Sequence, residues 1–344
     1  MVGLDVVLGL TIALTSLVML AGLDMLGGTW RRRRRWHRRR RAEQEVMAAV
    51  VDALAVPARL PNAITVMRAA DPAVAETVCL AAGRVVAEDD RGVLAALARA
   101  ADVNRRARVH LRSSRWWRRL RAVRLLHLAS DDPADLRVLN DPHPEVRAAA
   151  LLWLSDRPGQ LVRQPDSGRA RRSASRDAGG LLAEALVSDA ALVRIAAKHV
   201  CVKADIAPVW VLEHALEQAR RPGAHPLAPV APLSTVAALG DRVRLPLDDF
   251  LYARAAPVRA AAVRAIAATA PDRTAELVRR HVGDAQVVRL AVADIAGRDP
   301  AASPVLLDLA DDAAWQVRQV ARRSLLRSGA VGRALLRRLQ QAVV

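Results

Sequence analysis

Val258-Arg259, Val288-Arg289 and Val317-Arg318 recur at nearly equal steps, each at the head of an alanine-rich or leucine-rich stretch. A fixed period of about 30 residues, filled by two helix-length segments, leaves a chain few ways to fold. Each unit can bury its apolar face only against its neighbours, as in a stack of helix pairs. The same theme stands in Asp141-Pro142-His143-Pro144-Glu145-Val146-Arg147-Ala148-Ala149-Ala150-Leu151-Leu152-Trp153-Leu154. There a turn ends, an acid enters the first turn of a helix, and apolar residues recur at helical spacing. Asp189 leads into Val193-Arg194, Asp284 into Val288-Arg289 and Asp312 into Val317-Arg318. Strand-like alternation is almost lacking.

On these residues the chain resembles the HEAT-repeat family, in particular the short bacterial form also found in phycobilin-lyase-like repeat proteins. The family pattern is an Asp-Pro turn, then Val-Arg, Ala and Leu on the second helix of each pair. Residues 141–154 follow it closely, and the copies at 284–297 and 312–326 follow it well. The copy at 256–268 carries Arg254 where an Asp is expected. The resemblance implies an all-α fold, a right-handed α-solenoid of HEAT-like helix pairs. It implies no activity, because such repeats serve many roles. It also implies a structural ladder. Arg147, Arg194, Arg259, Arg289 and Arg318 would each pair with a turn aspartate of their own or the adjacent repeat. The aspartates concerned are Asp141, Asp189, Asp284 and Asp312.

The N-terminus predicts one transmembrane helix ahead of the repeats. Between Asp5 and Asp24 lie 18 residues without a charge. As a helix they reach about 27 Å, close to the thickness of a hydrocarbon core. Nine arginines follow at Arg31, Arg32, Arg33, Arg34, Arg35, Arg38, Arg39, Arg40 and Arg41, with Trp30 and Trp36 at the interface. Positive charge stays in the cytoplasm, so the expected topology is a single pass through the bacterial inner (cell) membrane, N-terminus outside and residues 31 onward inside. A cleaved signal peptide needs its basic residues before the apolar stretch; here they come after it.

The net charge of +18 is concentrated. Residues 31–41 contribute nine arginines, residues 105–124 another nine with no acid, and the remainder is neutral. That distribution argues against a uniformly basic nucleic-acid binder. In the second cluster, a helix over 116–129 places Trp116, Leu120, Val123 and His127 on one face. Arg115, Arg118, Arg119 and Arg121 lie largely away from it. One tryptophan, Trp116 or Trp117, is expected in the core and the other at its boundary. Three readings stand: a solvated repeat face, a contact with anionic lipid head groups of the inner leaflet, or nucleic acid held through phosphates and tryptophan stacking.

The expected organisation is an anchor at 1–30, a basic juxtamembrane stalk at 31–60, N-terminal HEAT-like repeats at 61–156, a flexible insertion at 157–180 and C-terminal repeats at 181–344. The insertion is read from its Pro, Gly and Ser content, Gly179 and Gly180 included. The step from Val193 to Val258 is about twice the repeat period and reads as two repeats with a proline-rich break at 222–232. Cys79 and Cys201 lie in apolar stretches and read as core residues. Phosphate-loop, dinucleotide and nucleophile-elbow motifs are missing, no His-Glu dipeptide occurs, and the eight histidines are scattered. No catalytic residue, cofactor or metal ligand is therefore assigned. The expected role is a membrane-anchored scaffold or adaptor that binds a protein partner, with a membrane-tethered nucleic-acid binder as the alternative.

Overall fold

A computed structural model describes Trp30 and residues 33–87, 89–129, 136–156, 178–203 and 209–342. Among the described residues the regular structure is helical, without strands. No described helix is long and apolar enough to cross a membrane. The predicted span, 6–23, lies outside the described residues, as do Arg31 and Arg32. The chain divides into two compact units, Met1–Asp132 and Pro133–Val344.

In the first unit α1 runs over residues 33–55. It is followed by α2 (Leu60–Ala69), α3 (Pro72–Ala82), α4 (Arg91–Ala100), α5 (Val103–His110) and α6 (Trp116–Leu128). Helix α3 starts where the sequence says it should: Asp71 accepts from Ala73 N at 2.8 Å, and Pro72 occupies a position whose N–H would go unused. Helices α3, α4, α5 and α6 pack on one another, and α2 packs on α4. The expected stalk, 31–60, is packed in part among the described residues. Val46, Val50 and Ala53 recur at helical spacing on α1 and are at most 4 % exposed, so the second half of α1 belongs to a core.

The second unit contains α7 (Pro144–Ser155), α8 (Ala178–Leu186), α9 (Ala191–Lys203), α10 (Val209–Ala219), α11 (Val230–Leu239) and α12 (Ala256–Thr269). It continues with α13 (Thr274–His281), α14 (Gln286–Ala296), α15 (Ser303–Leu309), α16 (Trp315–Arg327) and α17 (Gly329–Ala342). Helices α7, α9, α11, α12, α14 and α16 pack in succession, each on the next. Helices α8, α10, α13 and α15 lie against α9, α11, α14 and α16 respectively. Before α12 the place of a first helix is taken by two short helical turns, Gly240–Arg242 and Asp248–Tyr252, whose Phe250 and Leu251 are buried. Alanine makes the close packing possible: Ala260, Ala261, Ala262, Ala265 and Ala267 of α12 are all buried.

Gly179 and Gly180 are not linker residues. They lie in α8 and are buried. A Cβ at Gly179 would clash with the Trp210 ring, so the glycine lets the α8 backbone approach an indole.

The repeat arginines tie α7, α9, α12, α14 and α16 each to its own turn. Arg147 Nη1 donates to Asp141 O at 2.8 Å and Pro142 O at 3.3 Å, and Arg194 Nη1 to Ser188 O at 2.7 Å and Asp189 O at 2.9 Å. Arg259 donates to Ala253 O and Arg254 O at 2.8 and 3.1 Å, and Arg318 to Asp312 O and Ala313 O at 2.6 and 3.0 Å. Arg289 reaches Asp284 O at 2.8 Å. Each arginine thus reads carbonyls five or six residues back. Arg254 in place of an aspartate costs that turn nothing at this contact, because a carbonyl is supplied by any residue.

The remaining nitrogens link consecutive repeats. Arg259 grips the Asp284 carboxylate through Nε at 3.0 Å and through Nη2, and Arg289 grips Asp312 through Nε at 2.7 Å and Nη2 at 2.9 Å. These are two-pronged, charge-assisted pairs. Arg259 holds the Asp284 carboxyl far below the usual carboxylate range, and Arg289 lowers that of Asp312. The aspartates also cap: Asp312 accepts from Ala314 N at 2.7 Å and Asp141 from His143 N at 2.9 Å. Asp189 departs from the pattern. It enters through its carbonyl, while Ser188 Oγ takes the capping bond from Ala190 N at 3.3 Å.

Candidate functional site

The second arginine cluster spans α5, the following turn and α6. Helix α6 begins in the same way as the repeat helices. Arg115, just before it, is extended (φ −85°, ψ 112°), close to His143 before α7 (φ −92°, ψ 123°). Ser113 Oγ accepts from Arg115 N at 3.2 Å, and Arg119 Nη1 donates to Ser113 O at 2.8 Å and Ser114 O at 3.1 Å. Arg119 is therefore another repeat arginine, six and five residues after the carbonyls it reads. Its assignment to an anionic-surface contact is corrected: the guanidinium closes its own turn. The signal was present in the spacing, since Arg119 stands close to one repeat period before Arg147. Serines in place of Asp-Pro and Arg118 in place of valine concealed it.

Arg121 is corrected as well. It faces α3, with Nε 3.3 Å from Glu76 Oε2 and Nη2 donating to Thr77 Oγ1 at 3.2 Å. Arg106 Nε lies 3.5 Å from Glu76 Oε1. Glu76 is 7 % exposed, and a carboxylate so placed requires cationic partners. The acid that neutralises part of the cluster thus sits on α3, remote in the chain from both Arg106 and Arg121, which is why local charge counting missed it. Arg105 pairs with Asp102 at 3.1 Å.

Arg105, Arg108, Arg112, Arg115, Arg118 and Arg124 are all exposed, and the last four lie on α6 or shortly before its start. Both tryptophans lie there too, Trp116 38 % and Trp117 47 % exposed, so neither fills the core as expected. Leu120 and Val123 do. Arg115 and Arg118 lie over the Trp117 ring at 5.9 and 5.2 Å. The resulting surface is an indole framed by guanidiniums at the start of a helix.

The structure also joins the two clusters. Residues 33–41 of α1 are exposed, with Arg34 over Trp30 at 3.9 Å and Arg40 over Trp36 at 4.9 Å. Arg39 pairs with Glu43 at 2.9 Å and extends Nη2 to Thr77 Oγ1 at 3.4 Å. Thr77 Oγ1 consequently accepts from both Arg39 and Arg121 while donating to Ala73 O at 2.6 Å. Two arginine blocks that stand far apart in the sequence meet at one hydroxyl.

Neither cysteine belongs to this surface. Cys79 and Cys201 are fully buried free thiols, and burial pushes both up to about 12. Compared with known proteins, the chain matches no protein-family model and no curated protein.

Proposed function

We propose that this protein is a membrane-anchored adaptor: a HEAT-like, right-handed α-solenoid held beneath the bacterial cell membrane by its N-terminal helix, with its repeat surface presented to a protein partner. The convergence of Arg39 and Arg121 on Thr77 carries the reading. It makes the anchor's arginine collar and the Arg112–Arg124 surface parts of one packed unit. A surface fixed to the collar lies near whatever the collar lies near, and anionic head groups attract each nearby arginine by up to about 1 kcal/mol. Trp116 and Trp117 suit the same interface, where an indole sits among head groups. The successive packing of α7, α9, α11, α12, α14 and α16 supports the solenoid, and the absence of a catalytic motif from the sequence favours docking over catalysis.

Trp117→Cys tests the orientation. The native thiols are buried, so a maleimide fluorophore labels position 117 selectively. In native membranes the label is expected to be quenched by head-group nitroxide lipids, and the Arg112→Glu/Arg115→Glu/Arg118→Glu/Arg124→Glu variant is expected to lose the quenching. Arg119 and Arg121 are left untouched because they hold the fold. A label quenched only by aqueous reagent overturns the lipid contact. A steep salt-dependent shift with generic duplex would instead support the nucleic-acid alternative.

A further inference from the structure

We propose that a groove across α12, α14 and α16 receives an acidic peptide segment of the partner, one that places an aliphatic side chain between carboxylates. This rests on the adaptor reading and specifies the chemistry of its client. Arg264 of α12, Leu290 and Asp294 of α14, and Val320, Arg323 and Arg327 of α16 line a cavity of about 340 Å³. Leu290 and Val320 are half-buried and form an apolar floor. The walls are basic. The groove's own acid is already occupied: Asp294 lies 3.8 Å from Arg327 and 3.8 Å from Arg298. Those two arginines are 62 % and 65 % exposed, and one carboxylate does not neutralise both. Arg264 and Arg323 have no acidic partner among the described residues, although Arg264 is half-buried.

The spacing of the walls is held from beneath. A Cβ at Gly297, at the end of α14, would meet Ser324 Cβ at 2.7 Å, so α14 and α16 are in direct contact there. Gln286 Nε2 donates to Gln316 Oε1 at 3.0 Å, joining the beginnings of the same helices. A groove pinned at both ends is preformed, and a ligand does not have to open it. Guanidiniums in planar, two-pronged geometry select carboxylates over neutral amides. No aromatic residue lines the cavity, so base stacking has no platform, which favours a peptide over a nucleic acid.

The test uses the full-length protein in non-ionic detergent and fluorescence anisotropy with three labelled probes. These are a short peptide of glutamate and leucine, its glutamine-for-glutamate counterpart, and an oligothymidylate. The acidic peptide is expected to bind, to lose about tenfold in affinity when Arg264→Gln and Arg323→Gln are combined, and to weaken with salt. Leu290→Asp is expected to weaken it further, with the melting temperature recorded for every variant. Equal binding of the glutamine peptide, tighter binding of the oligonucleotide, or indifference to the folded double variant overturns the proposal. Failure here with position 117 still quenched by lipid removes the acidic client and leaves the membrane orientation. The reverse result removes the orientation and leaves the groove.

Discussion

Asp312→Ala strikes the ladder where two repeats are joined. The side chain of Asp312 is 9 % exposed and makes three contacts: Arg289 Nε at 2.7 Å, Arg289 Nη2 at 2.9 Å and Ala314 N at 2.7 Å. Loss of the capping bond costs about 1 kcal/mol. Breaking a buried ion pair costs about 3–5 kcal/mol where the stranded charge stays dry. Arg289 is 22 % exposed and keeps Asp284 O at 2.8 Å, so water recovers part of that, leaving about 2 kcal/mol. The sum is about 3 kcal/mol, a fall of about 6–12 °C in melting temperature for a unit of this size. Calorimetry or thermal circular dichroism reads it directly. Asp312→Asn, which retains a capping oxygen, is expected to lose only the ion-pair share. Acid has the same effect as the mutation. Arg289 lowers the carboxyl in the folded state, so the unfolded chain takes up the proton first as pH falls. The stability contributed by Asp312 is complete above about pH 4 and is lost as pH drops below it towards the folded value. The gap between wild type and Asp312→Ala should therefore narrow below about pH 4. A gap under about 1 kcal/mol at neutral pH, or one that widens in acid, refutes the assignment of the ladder as a stabilising element.

Arg119→Ala is expected to destabilise the first unit by about 1.5–3 kcal/mol in urea unfolding, since it removes charged donors from two turn carbonyls, whereas Arg118→Ala changes it by under about 0.5 kcal/mol. Glu76→Ala removes the carboxylate shared by Arg106 and Arg121, which keep Ala101 O and Thr77 Oγ1 and are 29 % and 34 % exposed, and is expected to cost about 2 kcal/mol, measured the same way, with part recovered when Arg121→Met is added. Gly297→Ala forces a methyl group against Ser324, 2.7 Å from its Cβ and 3.2 Å from its Cα, and is expected to cost about 1–3 kcal/mol of thermal stability. Cys79 and Cys201 are expected to stay unmodified by maleimide in the folded protein and to react on unfolding. Rapid native labelling would contradict their burial.

The helices of the second unit were legible because their signals are local. Asp141, Pro144 and the Val-Arg spacing mark turn and helix start within one stretch of chain, and the described helices begin at those places. The charge surface was not legible, because its partners are distant. Glu76 and Thr77 carry no motif, yet they take Arg106 and Arg121 out of the cluster and bring Arg39 to it. Gly179 shows the same limit. Beside serines and prolines it reads as a linker, and only the Trp210 ring against the α8 backbone shows why the residue has no side chain.

The sequence alone determined that this chain is helical, that a Val-Arg helix start recurs, and that its arginines stand five or six residues after a turn. Those properties follow from capping, periodicity and contacts a few residues apart. Tertiary structure decided which arginines are available to a partner. A guanidinium's free charge depends on the carboxylate or hydroxyl that packing brings within about 3 Å, and that neighbour comes from another helix.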